Sequence, residues 1–394
     1  MYERIHLKEL TGRIKERRKF IQVIMGPRQV GKTTLVMQLI AKTDVGYHFA
    51  SADSVPISDS LWLQQQWEIA RLKIKNSPVK EFLLVIDEIQ KVTNWSEKVK
   101  LLWDTDTREH TNIKVILLGS SRLLLQEGLT ESLAGRFETT YMGHWSFDEM
   151  HSTFGWSPDE YAWFGGYPGS ADLIKNETRW KAYVSNSLIE TSISKDILML
   201  SRVAKPALMK VLFEIGCHYS GQILSYTKIM GQLQDAGNTT TLSHYLHLLD
   251  TAGLLTGFEK YAADIVRKRS SSPKFQVHNT ALISAQRQET FSEIRSNPAE
   301  WGRIVESAVG AHLLNNALSE QFKVYYWRDR DQEVDFVLEY KNQIVGLEIK
   351  SGAKQSSSGM AAFQKQFNPK KIYLIGDTGL SWQEFLSINP LSLF

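Results

Sequence analysis

Gly26, Pro27, Arg28, Gln29, Val30, Gly31, Lys32 and Thr33 have the spacing G-x-x-x-x-G-K-T, and Thr34 follows. These residue types in this order can hold phosphate. The glycines let the backbone curl so that several N–H groups point at phosphate oxygens. Lys32 is placed to reach β- and γ-phosphates, and the Thr33 hydroxyl to hold Mg²⁺. A second set lies in VIDEIQ, residues 85–90. There Asp87 would hold Mg²⁺ through water, and Glu88 would polarise an attacking water. At Gly119-Ser120-Ser121 a hydroxyl either touches the γ-phosphate or the attacking water, or caps a helix starting at Arg122. Arg136, in SLAGRFE, either stabilises charge on a transferring phosphoryl group or is an ordinary surface arginine.

The surrounding pattern positions these residues. Phe20 to Met25 is an apolar run that reads as a buried strand, and Thr34 to Ile40 as a helix with one apolar face. The loop therefore sits between a strand and a helix N-terminus, where the helix dipole favours anions. Gly46 to Ser51, Glu81 to Asp87 and Asn112 to Gly119 read as further strands, and Leu61 to Ile74 as a long amphipathic helix. Asn94 and Glu97 suggest an N-cap with its capping partner for a helix running to Trp103. Continuous apolar strands alternating with helices indicate a parallel sheet covered on both faces. In such a sheet Asp87 and Glu88 emerge at the carboxyl edge, where ligands bind. A helix over Tyr2 to Lys19 ends in the charge run IKERRKF, expected to be a solvated face.

The composition limits the classes. With 394 residues the chain holds several domains, and 42% hydrophobic with 23% charged residues is normal for a globular protein with a core. The net charge of +3 implies no large basic surface, so nucleic-acid contact must come from local patches. Cys217 is the one cysteine, which excludes an intrachain disulfide and fits a reducing compartment. MYERIHLKEL lacks the apolar centre of a signal peptide, and Phe82 to Ile86 is too short for a membrane span. A cytoplasmic protein with no membrane contact is expected.

GPRQVGKTTL, VIDEIQ, LLGSS and SLAGRFE together resemble the AAA+ superfamily ATPases of bacteria and archaea that carry a C-terminal restriction-endonuclease-like domain. FGGYP and VDF…LEIK fit the same family. The resemblance implies a parallel-sheet P-loop NTPase core of α/β class, with a strand inserted between the phosphate-loop strand and the acidic strand. It implies ATP and Mg²⁺ as cofactors, ADP as product, Ser120 or Ser121 as nucleotide sensor, and Arg136 as arginine finger. If Arg136 serves a neighbour's site, the active form is a homo-oligomer.

The expected domains are 1–145 for the ATPase core, 146–204 for a helical lid, 205–275 for a winged helix and 276–394 for the endonuclease-like domain. His144 to Leu200 is aromatic-rich, with a turn at Phe164 to Gly169 and helical spacing from Trp180 to Met199. Leu208 to Tyr219, Ser225 to Gln234 and a helix capped by Asn238 precede a strand at Leu254 to Tyr261. In the third helix Leu242, Tyr245, Leu246 and Leu249 form a core face, while Thr241, His244 and His247 point elsewhere. The order is that of a winged helix, a DNA-binding arrangement when the third helix enters the major groove. That helix has no Lys or Arg, and Arg267-Lys268-Arg269 follows the wing, so DNA contact and a structural or protein-contacting module both stand.

Glu333 to Glu339 and Ile344 to Lys350 alternate. Val334, Phe336, Leu338, Val345, Leu347 and Ile349 form the core face, and Asp335, Glu348 and Lys350 lie opposite. A tight turn at Lys341-Asn342 puts Asp335 opposite Glu348, about 5 Å apart at the β-carbons. Two acids so placed need compensation, by a divalent metal or by Lys350. In the endonuclease-like fold such acids hold Mg²⁺, and the lysine activates water for phosphodiester attack. Glu306, on a helix from Trp301 to Leu318, matches a further acidic ligand of that family. An inert, degenerate form of the fold is the alternative. SGAKQSSSGMAA, residues 351–362, reads as a flexible loop, with a closing helix and the strand KIYLIG after it.

Overall fold

The computed structural model describes residues 2–56, 61–78, 81–120, 129, 132–198, 203–232, 238–262, 271–350, 358–376 and 378–394. Ser121, Arg122, Arg267, Lys268 and Arg269 lie outside the described residues, as do the first seven of the expected loop at 351–362. The chain divides into two compact units, residues 1–142 with 199–201, and residues 143–198 with 202–394.

The first unit is built on five strands: β1 (Ile21–Met25), β2 (Gly46–Ser51), β3 (Phe82–Asp87), β4 (Ile113–Gly119) and β5 (Phe137–Tyr141). Their order is β2-β3-β4-β1-β5, and every pairing is parallel. β4 thus lies between β1 and the acidic β3, as the resemblance implies. All residues of β1, β3 and β4 are buried, which explains their unbroken apolar sequences. On one face Val23, Met25, Leu84, Ile86, Val115 and Leu117 pack with Trp67 of α3 (Trp62–Lys75) and Trp103 of α4 (Trp95–Arg108). On the other, Ile24, Val85, Ile116 and Leu118 pack with Leu35 and Leu39 of α2 (Lys32–Ala41) and Leu10 of α1 (His6–Lys15). Each such side chain contributes roughly 1.5–3 kcal/mol through burial.

Two local expectations are corrected. Asn94 does precede α4, but its backbone is left-handed and its side chain makes no capping bond; the helix also runs on to Arg108. The charge run after α1 is not wholly solvated. Arg18 lies 3.5 Å over the Trp103 ring and donates to the Ile113 and Trp103 carbonyls at 2.8 and 2.9 Å. Its guanidinium satisfies carbonyls at the amino edge of the sheet, which outweighs full hydration.

In the second unit two helices with capping boxes, α5 (Phe147–Phe154) and α6 (Pro158–Phe164), lead to the FGGYP turn. Asn279 and the Trp145 carbonyl explain the two glycines. Its Oδ1 accepts from the Gly166 and Ala281 N–H groups, both at 3.1 Å, and a Cβ on Gly165 would lie 1.9 Å from that oxygen. A Cβ on Gly166 would lie 2.2 Å from the Trp145 carbonyl oxygen. Past α7 (Glu177–Tyr183) the expected helix continues as π-helical turns at Val184–Ile189 and Ser192–Leu198.

Helices α8 (Pro206–His218), α9 (Tyr226–Gln232) and α10 (Thr239–Thr251) are followed by the antiparallel pair β6 (Leu255–Phe258) and β7 (Lys274–Val277). Asn238 caps α10, accepting from the Thr241 N–H at 2.8 Å, and Leu242, Tyr245, Leu246 and Leu249 are buried. After α11 (Pro298–Glu320) come β8 (Lys323–Asp329), β9 (Gln332–Tyr340), β10 (Gln343–Lys350) and, beyond α12 (Ser358–Phe367), β11 (Lys371–Gly376). The sheet order is β11-β10-β9-β8, with β11 parallel to β10 and the other pairs antiparallel. The β9–β10 turn has positive φ at Lys341 (46°) and Asn342 (64°), and the pairing runs from Tyr340↔Gln343 to Phe336↔Leu347 in the expected register.

Two readings of this region change. Residues 358–362 open α12 instead of extending a loop. The face opposite the expected core face is also covered: Val337, which shares it with Asp335, packs with Trp327 and Phe363, and Glu348 is buried.

One buried acid ties α3 to α4. Asp106 is fully buried, accepts from Trp67 Nε1 at 2.6 Å and from Arg71 Nε at 2.8 Å. Removing it strands a buried indole N–H and a half-buried guanidinium. Asp106→Ala should therefore destabilise the protein by about 3 kcal/mol, seen as a lower urea midpoint by tryptophan fluorescence. A change below about 0.5 kcal/mol, the level of a neutral surface substitution, would contradict that role.

Candidate functional site

The parallel register aligns the strand ends. Met25 pairs with Gly119, and Ser51 with Asp87, so Gly26, Ser120 and Glu88 all leave the first sheet at its carboxyl edge. A Cβ on Gly26 would lie 2.1 Å from the Met142 carbonyl oxygen, so only glycine fits there. Gln29 (φ 58°) and Gly31 (φ 94°) are left-handed, which turns the loop back into α2. The Lys32 ammonium donates to the Gly26 and Pro27 carbonyls, both at 2.8 Å, and is thereby fixed within the loop. Buried Arg4, which the sequence did not single out, donates to the Val30 carbonyl at 3.2 Å and steadies the loop from α1's side of the sheet. Arg28 is half-buried, while Gln29, Thr33 and Thr34 are exposed.

The acidic residues meet this loop. Thr33 Oγ1 donates to Asp87 Oδ2 at 2.8 Å, and the Glu88 N–H donates to Asp87 Oδ1 at 2.9 Å. Burial raises the Asp87 pKa above the ordinary carboxylate value, against the pull of the Thr33 hydrogen bond. A hydroxyl and a carboxylate side by side at a phosphate loop are the hard oxygen donors that Mg²⁺ takes from a protein, its other positions going to phosphate and water. The residues present fit that ion.

Glu88 is held in a left-handed backbone, φ 52°, a conformation that non-glycine residues seldom adopt and that clusters at functional sites. Its Oε2 accepts from Gln90 Nε2 at 2.5 Å and from Ser120 Oγ at 3.1 Å. Gln90 Nε2 also reaches Ser120 Oγ at 3.3 Å. Gln90 and Ser120 are both buried, so their positions are set by packing and they orient the carboxylate. The sequence pointed to Ser120 but not to Gln90, which lies in the same six-residue motif.

Arg136 lies elsewhere. It precedes β5, and its carbonyl accepts from the Ile21 N–H at 2.8 Å, so it enters at the amino edge of the sheet. The length of β1, about 16 Å at strand rise, separates that edge from the phosphate loop of the same chain. Its guanidinium forms a two-point pair with Asp104, Nε to Oδ1 at 2.8 Å and Nη2 to Oδ2 at 3.1 Å.

In the second unit the structure brings Glu306 and Asp335 together, around a residue the sequence analysis passed over. Lys274 of β7 is fully buried. Its Nζ lies 2.8 Å from Glu306 Oε1, 3.5 Å from Asp335 Oδ1, 3.6 Å from Glu333 Oε1 and 3.2 Å from the Asp335 carbonyl oxygen. The neighbouring acids raise its pKa against the effect of burial, while burial pushes the Glu306 carboxyl up to about 7. Asp335 Oδ2 accepts from the Ile349 N–H at 2.7 Å, and Lys350 Nζ pairs with Glu348 Oε1 at 2.6 Å. The Lys274 and Lys350 ammoniums stand against these acids where a divalent ion would be bound, and these residues as arranged do not fit a metal. Among the described residues no group of three or more His, Cys, Asp or Glu is placed to hold one. The available signal was a lone lysine in the buried strand KFQV.

Residues 18–151 match the family model of an AAA domain; 156–293 and 301–394 match two further families, each described as a domain of unknown function. The first unit therefore has the fold of an AAA-type P-loop ATPase. An uncharacterized protein of Mycobacterium tuberculosis is 27% identical over 346 residues, covering 86% of this chain and 72% of that protein. One of Haemophilus influenzae is 26% identical over 354 residues, covering 84% and 82%. Among solved structures, the Walker-type ATPase of Pyrococcus abyssi covers 72% of this chain and 95% of its own at 12% identity, with a TM-score of 0.47. The RuvB Holliday junction branch migration motor of Thermotoga maritima covers 64% and 85% at 17% identity, with a TM-score of 0.32. No helix among the described residues is long and apolar enough to cross a membrane.

Replacing Glu88 with Gln keeps the size and the Ser120 contact but removes the carboxylate that could act as a base. Glu88→Gln should bind ATP as the wild type does and turn it over about 10²–10⁴-fold more slowly, measured by phosphate release. Undiminished turnover would remove Glu88 from that role.

Proposed function

We propose that this chain is a Mg²⁺-dependent ATP hydrolase, releasing ADP and phosphate, whose turnover is coupled to DNA through its C-terminal half. The observation that carries the reading is the meeting of Lys32, Thr33, Asp87 and Glu88 at one sheet edge. Backbone N–H groups of residues 27–32 cradle the phosphates at the start of α2. Lys32 offsets charge on the β- and γ-phosphates. Mg²⁺, held by the Thr33 hydroxyl and through water by Asp87, would neutralise charge on the same oxygens. Glu88, oriented by Gln90 and Ser120, takes the proton of the water that attacks the γ-phosphorus. Ser120 is suitably placed to sense that phosphate through Glu88.

Arg136 sits at the opposite edge from its own chain's loop, which supports a role on a neighbour's nucleotide and hence a homo-oligomer. In that role it would leave Asp104 for the developing charge on the transferring phosphoryl. Residues 146–204 would act as the lid and 205–275 as a winged helix, with α10 and the basic residues 267–269 as the DNA-facing parts. The β9–β10 hairpin with Glu306, Asp335, Glu348 and Lys350 supports an endonuclease-like origin for residues 276–394; no cleavage step is assigned to it. The engagement of these acids by Lys274 and Lys350 favours the second reading, an ATP-driven switch or DNA-remodelling motor with an inert nuclease-like domain. A cytoplasmic location fits the lone, buried Cys217.

One assay separates these parts. ATP turnover is measured with and without single-stranded, duplex and branched DNA, for wild type, Arg136→Ala and a mixture of Arg136→Ala with Glu88→Gln. DNA should stimulate wild-type turnover several-fold. Arg136→Ala should lower kcat by about 10³-fold with ATP affinity unchanged, and the mixture should regain activity, since each variant supplies what the other lacks. No DNA effect would end the DNA assignment and leave the hydrolase. A mixture no more active than its components would end the role in trans.

A further inference from the structure

We infer that the C-terminal carboxylate cluster carries its own cation: the ammonium of Lys274 stands where the acidic pattern would place a divalent metal, and each excludes the other. The inference concerns the second unit alone and does not depend on the ATPase reading.

A fully buried lysine is stable only when its charge and its donors are answered. Lys274 Nζ donates to the Asp335 carbonyl at 3.2 Å and to Asp335 Oδ1 at 3.5 Å, and forms an ion pair with Glu306 Oε1 at 2.8 Å. Glu333 adds a third carboxylate at 3.6 Å, and the Phe336 ring, 4.9 Å from Nζ to its centre, lies against the same ammonium. The contact to the Asp335 carbonyl ties the ammonium to the backbone of β9 as well as to side chains. Its position does not depend on one flexible carboxylate.

A metal bridging Glu306 and Asp335 would need oxygens at about 2.0–2.6 Å, and the point between them is taken by Nζ. The remaining oxygen of Asp335 is turned to the Ile349 N–H, away from such a point. Glu348, the other acid of the pattern, is paired with Lys350. An ammonium 2.8 Å from Glu306 Oε1 repels a divalent ion bound to the same oxygen, and at such range the repulsion is only partly screened. β7 and β9 are thus held together by an internal ion pair, and the acids that resemble a metal-dependent nuclease site serve that pairing.

The test is Mn²⁺ binding to the full chain without nucleotide, read from the electron paramagnetic resonance of free Mn²⁺. Wild type and Glu306→Gln/Asp335→Asn should bind the same number of ions. Lys274→Met, which keeps the length and removes the charge, should gain one site per chain at least tenfold tighter than any in the wild type. Adding Glu306→Gln/Asp335→Asn to Lys274→Met should abolish that site. A wild-type Mn²⁺ site lost in Glu306→Gln/Asp335→Asn would overturn the inference, and so would a folded Lys274→Met that gains none. If Lys274→Met does not fold, as near-ultraviolet circular dichroism would show, Lys274→Gln takes its place, and a folded Lys274→Gln that gains no site would overturn the inference.

Discussion

The first unit depends on all five strands of its sheet running the same way. Parallel pairing puts every strand's carboxyl end on one edge, so the phosphate loop after β1, the acids ending β3 and the serine after β4 arrive together without any long-range search. Parallel strands require covering helices, and the helices bring the two apolar layers that bury β1, β3 and β4 completely. The same arrangement sends Arg136 to the far edge. A sheet that gathers one set of residues at its carboxyl edge must separate them from whatever precedes its strands. This is why Lys32, Thr33, Asp87 and Glu88 meet at one edge of the sheet and Arg136 lies at the other.

Two clusters of acids, one at the end of β3 and one formed by α11 and β9, have different partners. At Asp87 the partners are a hydroxyl and a backbone N–H, which leave the carboxylate's charge uncompensated by any ion pair among those hydrogen bonds, and burial raises its pKa accordingly. At Asp335 and Glu306 the partner is an ammonium, although burial still pushes the Glu306 carboxyl up to about 7. The first arrangement favours a metal ion; the second removes the need for one.

The phosphate loop and the acidic strand were legible because each rests on short-range chemistry, a glycine spacing with a helix start and an apolar run ending in acid, whereas the strand order came only with the family resemblance. The Lys341-Asn342 turn was legible for the same reason, since a two-residue turn sets the register of both strands. What escaped was the pairing of groups distant in sequence. Nothing near Lys274 announces Glu306 or Asp335, and nothing near Arg18 announces Trp103. Asn94 failed as a cap because its side chain's capping geometry requires an extended backbone, and here the chain enters α4 left-handed. Gln90 shows a third kind of miss. Its place in the motif was visible, but its role needed Glu88 and Ser120 in three dimensions.

The central claim is that the loop from Gly26 to Thr33 is the nucleotide site, with Lys32 supplying its charge. The direct measurement is the affinity of a fluorescent ATP analogue with Mg²⁺ for the wild type and Lys32→Ala, in full-length protein shown to be folded by circular dichroism. The account predicts saturable binding to the wild type and a loss of at least tenfold in Lys32→Ala, since a charge-assisted contact to phosphate is worth about 1.5–3 kcal/mol. Equal binding by the two proteins would contradict it.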